Sequence, residues 1–267
     1  MTDGVISLPL CPLFLEAREG SERSDEVLYG SAVTVLDERE GWLRLRTRYR
    51  YEGFARPGIL GGDDVSRWEE EARQVVIRPF ADVMDRPAYR ATVLLSLPRG
   101  ALLAGGVPVE DGQWLEVCLV DGRKGFVRAE ALRNQRLWNT EGQEKTRDHL
   151  VADALAYLGT AYRWGGKTPE GIDCSGLCFM AYQLNGLAIY RDAVVREGFP
   201  VRPIAPEGAE RGDLIYWPGH VGLYLGGGRY VHSTGKSGGT LVNSLRPSDD
   251  DYREDLAQTI SSWGSVF

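Results

Sequence analysis

One cysteine and two histidines stand in an order that suits covalent hydrolysis: Asp173-Cys174-Ser175-Gly176, then His220-Val221-Gly222, then Tyr230-Val231-His232. Cys174 opens a stretch read as a helix over 174–184. A helix N-terminus favours a thiolate, because its unpaired N–H groups and macrodipole stabilise negative charge. A neighbouring imidazole can take the thiol proton, and a second polar group can orient that imidazole. Cys178 lies one helical turn beyond Cys174 and reads as core packing. A zinc site made from the same residues lacks the usual ligand spacing, since the histidines are His-x11-His on successive strands. His149 has no motif around it and reads as a surface residue.

These residues need elements to hold them. From Thr146 the pattern is helical, with Leu150, Val151, Ala154, Leu155 and Leu158 on one face and Gly159 as the stop. The helix at 174–184 closes at Asn185-Gly186. Strand-like runs follow at 214–217, 220–225 and 230–233, with Gly226-Gly227-Gly228 as a hairpin turn. Helices first and strands after is an α+β order. Upstream, residues 41–60 align with 113–132 without a gap when Trp42 is laid on Trp114. Both copies read as a short alternating strand after Trp, a polar turn, then Gly-Phe opening another strand. Two small β-units are expected, with 63–74 as a linker or short helix and 133–145 as a second linker. Arg44, Arg46, Arg48 and Arg50 share one strand face, which reads as a solvated edge or domain contact.

The segments Ala161-Tyr162-Arg163-Trp164-Gly165-Gly166, Asp173-Cys174-Ser175-Gly176 and His220-Val221-Gly222, followed by His232, resemble the NlpC/P60 cysteine peptidases. The two upstream repeats resemble bacterial SH3-like (SH3b) barrels. The resemblance implies two small all-β SH3b-like barrels, 1–65 and 75–137, followed by an α+β papain-like NlpC/P60 domain over 143–267. It implies Cys174 as nucleophile, His220 as base and His232 as orienting residue, with the Cys174 N–H and the Tyr162 phenol stabilising the oxyanion. The three-part layout is similar to γ-D-glutamyl-L-diamino acid endopeptidases, which trim murein peptides. In that subfamily the free amine of an N-terminal L-Ala is held by an acid and a Tyr of the first SH3b domain and by the Asp before the nucleophile. Here these become Glu22, with Glu26 as competitor, Tyr51 and Asp173, and Ser175 lines the same pocket. The chain departs from the family pattern at Tyr190, where Pro usually stands, and at Arg196, a usual Gln; neither touches the triad.

Composition sets the outer limits. With 267 residues, 43% hydrophobic and 26% charged, the chain suits a multidomain globular protein. A net charge of −7 gives no global attraction to nucleic acid or to an anionic membrane. No apolar run is long enough to span a bilayer, and Asp3 stands where a signal peptide carries Lys or Arg, so a cytoplasmic protein is expected, or a secreted one if a leader was removed. Cys11, Cys118, Cys174 and Cys178 are read as free thiols. No metal or organic cofactor is implied, and a monomer acting on murein peptide in cell-wall recycling is expected. The rival readings are a non-catalytic wall-binding protein and an endopeptidase or amidase acting on polymeric peptidoglycan.

Overall fold

In the computed structural model the chain divides into two compact units, Met1–Gln135 and Arg136–Phe267. Residues 1–57 and 64–267 are described in full, and 60–61 by their backbone. Of the aligned repeat, Gly58, Ile59 and the Leu60 side chain lie outside the described residues, as does Asp63 of the first linker.

The first unit holds two seven-stranded antiparallel sheets. One comprises β1 (Thr2–Ile6), β2 (Leu10–Phe14), β3 (Arg23–Leu28), β4 (Ala32–Arg39), β5 (Trp42–Thr47), β6 (Glu52–Ala55) and β7 (Leu60–Gly61), in the order β3-β2-β6-β5-β4-β1-β7. Helix α1 (Val65–Glu71) follows, capped by the Asp64 carboxylate. The other comprises β8 (Gln74–Val76), β9 (Phe80–Met84), β10 (Val93–Pro98), β11 (Leu102–Val109), β12 (Trp114–Cys118), β13 (Lys124–Arg128) and β14 (Leu132–Asn134), in the order β10-β9-β13-β12-β11-β8-β14. Each order runs from edge to edge and does not by itself close a barrel.

The repeat extends further than the sequence alignment showed. The bond Gly30 N–H to Ile6 O recurs in the second copy as Gly100 N–H to Val76 O, and Ser21 N–H to Arg18 O recurs as Ala91 N–H to Ala88 O, both by the same shift along the chain. That shift lengthens at the following hairpin: Arg39 pairs with Trp42 in one copy and Val109 with Trp114 in the other, so the second loop is the longer. The copies share a core. Val5 and Tyr29 pack with Val83, Leu97, Leu103 and Val127, and the Tyr29 hydroxyl accepts from Val120 N–H at 2.7 Å. Gly30 sits at φ +78° with Leu102 O 2.3 Å from where a Cβ would stand, so only glycine lets the strands meet.

On β5, Leu43, Leu45 and Thr47 are buried while Arg44 and Arg46 are exposed, the period-2 pattern of a half-buried strand. Arg44 and Arg46 both bond Glu52, and Arg48 bonds Asp3 and Glu69 of α1. The arginine face is ion-paired but is not a sheet edge, since β5 pairs with β4 on one side and β6 on the other, and Arg48 and Arg50 lie in the turn past its end.

The second unit contains α2 (Gln143–Leu155), a two-stranded ribbon of β15 (Lys167–Thr168) and β16 (Gly171–Ile172), and α3 (Cys174–Gln183). After them come β17 (Arg202–Ile204), β18 (Leu214–Trp217), β19 (His220–Gly226), β20 (Arg229–Thr234), β21 (Gly239–Ser244), α4 (Glu254–Ala257) and β22 (Ser262–Ser265). The six-stranded sheet has the order β17-β22-β18-β19-β20-β21, and α3 packs on β19 and β20 with α2 beside it.

Two sequence expectations need correction. Helix α2 starts earlier than Thr146, and its buried residues are Thr146, Arg147, Leu150 and Ala154, while Leu158 falls past the helix and is exposed. Arg147 takes an inward position because its guanidinium meets the Asp213 carboxylate at 2.9 Å and lies over the Phe267 ring. Residues 133–145 are not a loose linker either: β14 pairs with β8, and Trp138 stacks against Tyr182 and Phe267. No helix among the described residues is long and apolar enough to cross a membrane.

Candidate active site

Helix α3 is buried from Cys174 to Tyr182, and its first turn is held by glycines and by Asp173. Asp173 takes extended backbone at the N-cap, and its Oδ1 accepts from Gly176 N–H at 2.6 Å. Its Oδ2 accepts from Gly165 N–H at 2.8 Å. A Cβ on Gly176 would stand 2.2 Å from Gly166 O, and one on Gly166 would stand 2.4 Å from Gly171 O. The Trp164-Gly165-Gly166 segment is therefore a backbone cradle for the start of α3.

Arg191 completes this end of the helix. Its Nη1 donates to Asp173 Oδ1 at 3.1 Å and to the Ser175 hydroxyl at 2.8 Å, and its Nη2 donates to Asp173 Oδ2 at 3.2 Å. All three side chains are buried. Asp173 was expected to face a substrate ammonium; here its oxygens accept from Gly165, Ser175, Gly176 and Arg191, so an internal guanidinium answers its charge. Sequence reading missed Arg191 as a partner, although it stands directly after Tyr190, noted for departing from pattern. The two departures themselves pack together: the Arg196 guanidinium lies over the Tyr190 ring, which also meets Phe199.

The Cys174 thiol lies against the start of β19, within hydrogen-bond influence of Val221 N–H and Ser175 N–H. The helix N-terminus lowers the thiol as expected, through Ser175 N–H, but does not decide its state. Burial first, and the Asp173 charge second, push it up to about 11, outweighing those two N–H groups. Cys178 is fully buried, and burial raises it well above the ordinary thiol range. Among the described residues all four cysteines are free.

His220 begins β19 directly after the Pro218-Gly219 turn and pairs across the ladder with Trp217, whose ring lies 5.4 Å from the imidazole. His220 Nε2 meets His232 Nδ1 at 2.7 Å. His232, fully buried on β20, turns its Nε2 to Asn243 Oδ1 at 2.9 Å. The Asn243 amide is fixed in turn by donating Nδ2–H to Asp251 O at 2.9 Å.

This chain sets the tautomers. With Asn243 Oδ1 accepting, His232 carries its proton on Nε2 and accepts at Nδ1, so His220 donates from Nε2 and keeps an unprotonated Nδ1. Burial, then the neighbouring His232, push His220 down to about 4, and burial also lowers His232. The resting pair is a neutral thiol and a neutral imidazole. Asn243 was not seen in the sequence; only the β20–β21 register, which pairs Tyr230 with Asn243 and His232 with Leu241, brings it to His232.

Tyr162 lies close enough to Cys174 and Asp173 for both to raise its phenol after burial has done so, to about 12, leaving it a hydrogen-bond donor at neutral pH. In the first unit, the Tyr51 hydroxyl donates to Ser24 O on β3 at 3.4 Å. Glu26, on the same strand, is fully buried and accepts from Arg23 Nη1 at 2.6 Å, and the adjacent Asp25 accepts from the Tyr49 hydroxyl. Glu22 stands exposed just before the strand. Of the two acids, Glu26 is the one carried on the strand that Tyr51 reaches.

The NlpC/P60 family model matches residues 159–254. A Dipeptidyl-peptidase 6 of Lysinibacillus sphaericus is 40% identical over 270 residues, covering 99% of this chain and 100% of that protein. The chain belongs to the NlpC/P60 family. It is, with that family, a cysteine peptidase. This NlpC/P60 chain is also 25% identical over 253 residues to the Gamma-D-glutamyl-L-lysine dipeptidyl-peptidase of Bacillus subtilis (strain 168), covering 86% of the chain and 78% of that protein. The crystal structure of an NlpC/P60 family protein from Bacillus cereus ATCC 10987 shares its fold, with a TM-score of 0.82, 19% identity and 98% of each chain covered.

Proposed function

We propose that this NlpC/P60 peptidase hydrolyses the γ-D-Glu–L-diamino acid bond of murein peptides that carry a free N-terminal L-Ala. The observation that carries the chemistry is the Cys174 thiol at the start of α3 set against Val221 N–H, next to His220 at the start of β19, with His220 in turn held by His232. In this reading His220 Nδ1 takes the thiol proton as Cys174 Sγ attacks the carbonyl carbon. The Cys174 N–H and the Tyr162 phenol receive the oxyanion. The same proton then passes to the leaving amine, and water hydrolyses the thioester. A thiol held neutral by burial loses its proton only as the carbon–sulfur bond forms.

The relatives' names carry the substrate. A dipeptidyl-peptidase counts two residues from the amino terminus, which needs a subsite that recognises the terminal ammonium. In our reading Tyr51 with Glu26, or with Glu22, holds that ammonium, Ser175 lines the pocket, and Asp173 acts by fixing Ser175 and Arg191. The β-repeats are then SH3b-like domains of about 1–65 and 75–137 that precede a peptidase domain over 143–267, and the role is recycling of released wall peptides. Cleavage of L-Ala-γ-D-Glu-diaminopimelate and of its lysine counterpart, each beside its N-acetylated form and with a Cys174→Ala control, tests both parts. Loss in the mutant supports the nucleophile, and failure of the acetylated peptides supports the amine subsite.

A further inference from the structure

The two β-repeats treat one arginine differently. In the first copy the Arg56 guanidinium lies over the Trp42 ring, 4.1 Å from its centre, and pairs with the Glu19 carboxylate. In the second copy Arg128 and Trp114 occupy the equivalent places, two strands that pair with each other as β12 and β13. The turn that carries Glu19 recurs there as well, with Arg18 N–H to Glu16 O matched by Ala88 N–H to Arg86 O, and puts Tyr89 where Glu19 stood. An aromatic ring has replaced the counter-charge.

The consequence is visible around Arg128. Its guanidinium lies 5.1 Å from the Tyr89 ring centre and 5.4 Å from that of Trp114, which themselves meet edge to face. Nη1 donates to Gln113 at 3.3 Å, while Nη2 stands 3.9 Å from the exposed Glu130. Nε is buried and has no hydrogen-bond partner among the described residues. Nη2 is the corner left for a carboxylate, and among the described residues the carboxylate it meets is the distant Glu130. A cavity of about 230 Å³ has Arg128 in its lining, with Ala81, Met84 and Val127 beside it and Arg78, Asp82 and Glu130 contributing the further charges. Asp82 is engaged by the Ser96 hydroxyl. Phe80 and Tyr89 line it too, 64% and 74% exposed, where large rings are ordinarily covered.

We propose that this cavity of the second repeat binds the carboxylate of a short peptide, with Arg128 as the cation and the Phe80 and Tyr89 rings covering the adjoining aliphatic group. A small-ligand site sets a few placed polar groups among apolar walls, and here Arg128 is the preorganised cation among Ala81, Met84, Val127 and the two rings, with the charges of Arg78, Asp82 and Glu130 at the lining as well. Two aromatic faces hold the guanidinium before binding, so little side-chain freedom is lost on binding. The first copy lacks the site because Glu19 already answers Arg56.

The test uses the full chain carrying ¹⁵N-labelled tryptophan and follows the Trp114 indole N–H by NMR. The probes are N-acetyl-Ala-Ala with a free C-terminus, its C-terminal amide, and N-acetyl-Glu amide, which offers only a side-chain carboxylate. Either acid should shift the resonance while the amide does not, and the ratio of the two affinities tells a terminal from a side-chain carboxylate. Tyr89→Glu rebuilds the ion pair of the first copy at an exposed position. It should weaken the acids about tenfold or more, as should Arg128→Gln, without changing the melting temperature or tripeptide turnover. The proposal is overturned if acid and amide bind alike, if no probe shifts Trp114, or if Tyr89→Glu, folded and active, binds as the unmutated protein does.

Discussion

Replacing Arg191 with methionine keeps much of the side chain's length and removes its charge. Asp173, only 6% exposed, then loses the cation at 3.1 Å, and Ser175 loses its donor at 2.8 Å. Removing one partner of a buried ion pair costs about 3–5 kcal/mol. The carboxylate keeps the N–H groups of Gly165 and Gly176 and the Ser175 hydroxyl, which places the loss at the lower end of that range. For a unit of this size each kcal/mol is worth about 3–4 °C, so the melting transition should fall by roughly 10 °C. Differential scanning calorimetry of the full chain measures it. The double variant Asp173→Asn/Arg191→Met removes the orphaned charge while keeping a good helix cap, and should recover most of the loss. A single-variant loss below about 1 kcal/mol, or no recovery in the double variant, would refute the claim that Arg191 neutralises Asp173.

Other consequences are as direct. With His220 at about 4 and Cys174 at about 11, kcat/KM should have its acid limb near pH 4 and stay flat through neutrality, and iodoacetamide should react slowly at pH 7; a thiolate–imidazolium pair would instead give fast alkylation at pH 7. Because His220 is depressed in the fold, the unfolded chain takes up a proton that the fold refuses as pH falls from 6.5 towards 4. Stability should therefore decline by up to about 3 kcal/mol across that window and be unaffected by this group above it, which denaturant titrations at several pH values will show. Asn243→Leu leaves the His232 Nε2–H unpaired at a cost of about 1–3 kcal/mol, and where His232 escapes by taking the other tautomer, kcat should fall roughly 10- to 100-fold with KM little changed. Asn243→Gln should restore part of that rate, which separates tautomer control from packing. Tyr29→Phe strips Val120 N–H of its acceptor in the core shared by the two repeats and should cost about 1–3 kcal/mol in the first unit's unfolding transition.

What was legible in the sequence was local. The D-C-S-G start of α3 is a helix cap with its own signature, and the two histidines sit on strands whose alternating pattern and glycine hairpin are written within a few residues. The β-repeat showed where Trp, Gly and Phe recur in step. Its first half stayed hidden, because the shared feature there is a set of backbone bonds between residues whose side chains differ from copy to copy. Arg191 and Asn243 were missed for one reason: each reaches its partner through tertiary register, 18 residues down the chain for Arg191 and two ladder positions away from the paired residue for Asn243. The thiol's balance was legible only in part, because the helix N-terminus is visible in a sequence and the burial that outweighs it is not. Strand β22, a short run of Ser, Trp and Gly, has no apolar pattern of its own and is placed between β17 and β18 only by non-local pairing.

The account stands most directly on one comparison, the mass-spectrometric cleavage of L-Ala-γ-D-Glu-diaminopimelate beside its N-acetylated form, by the intact protein and by Cys174→Ala. The account predicts release of L-Ala-D-Glu from the free-amine peptide alone and none from the variant. Cleavage that survives in Cys174→Ala, or that proceeds equally on the acetylated peptide, would contradict respectively the nucleophile and the amine-recognising subsite.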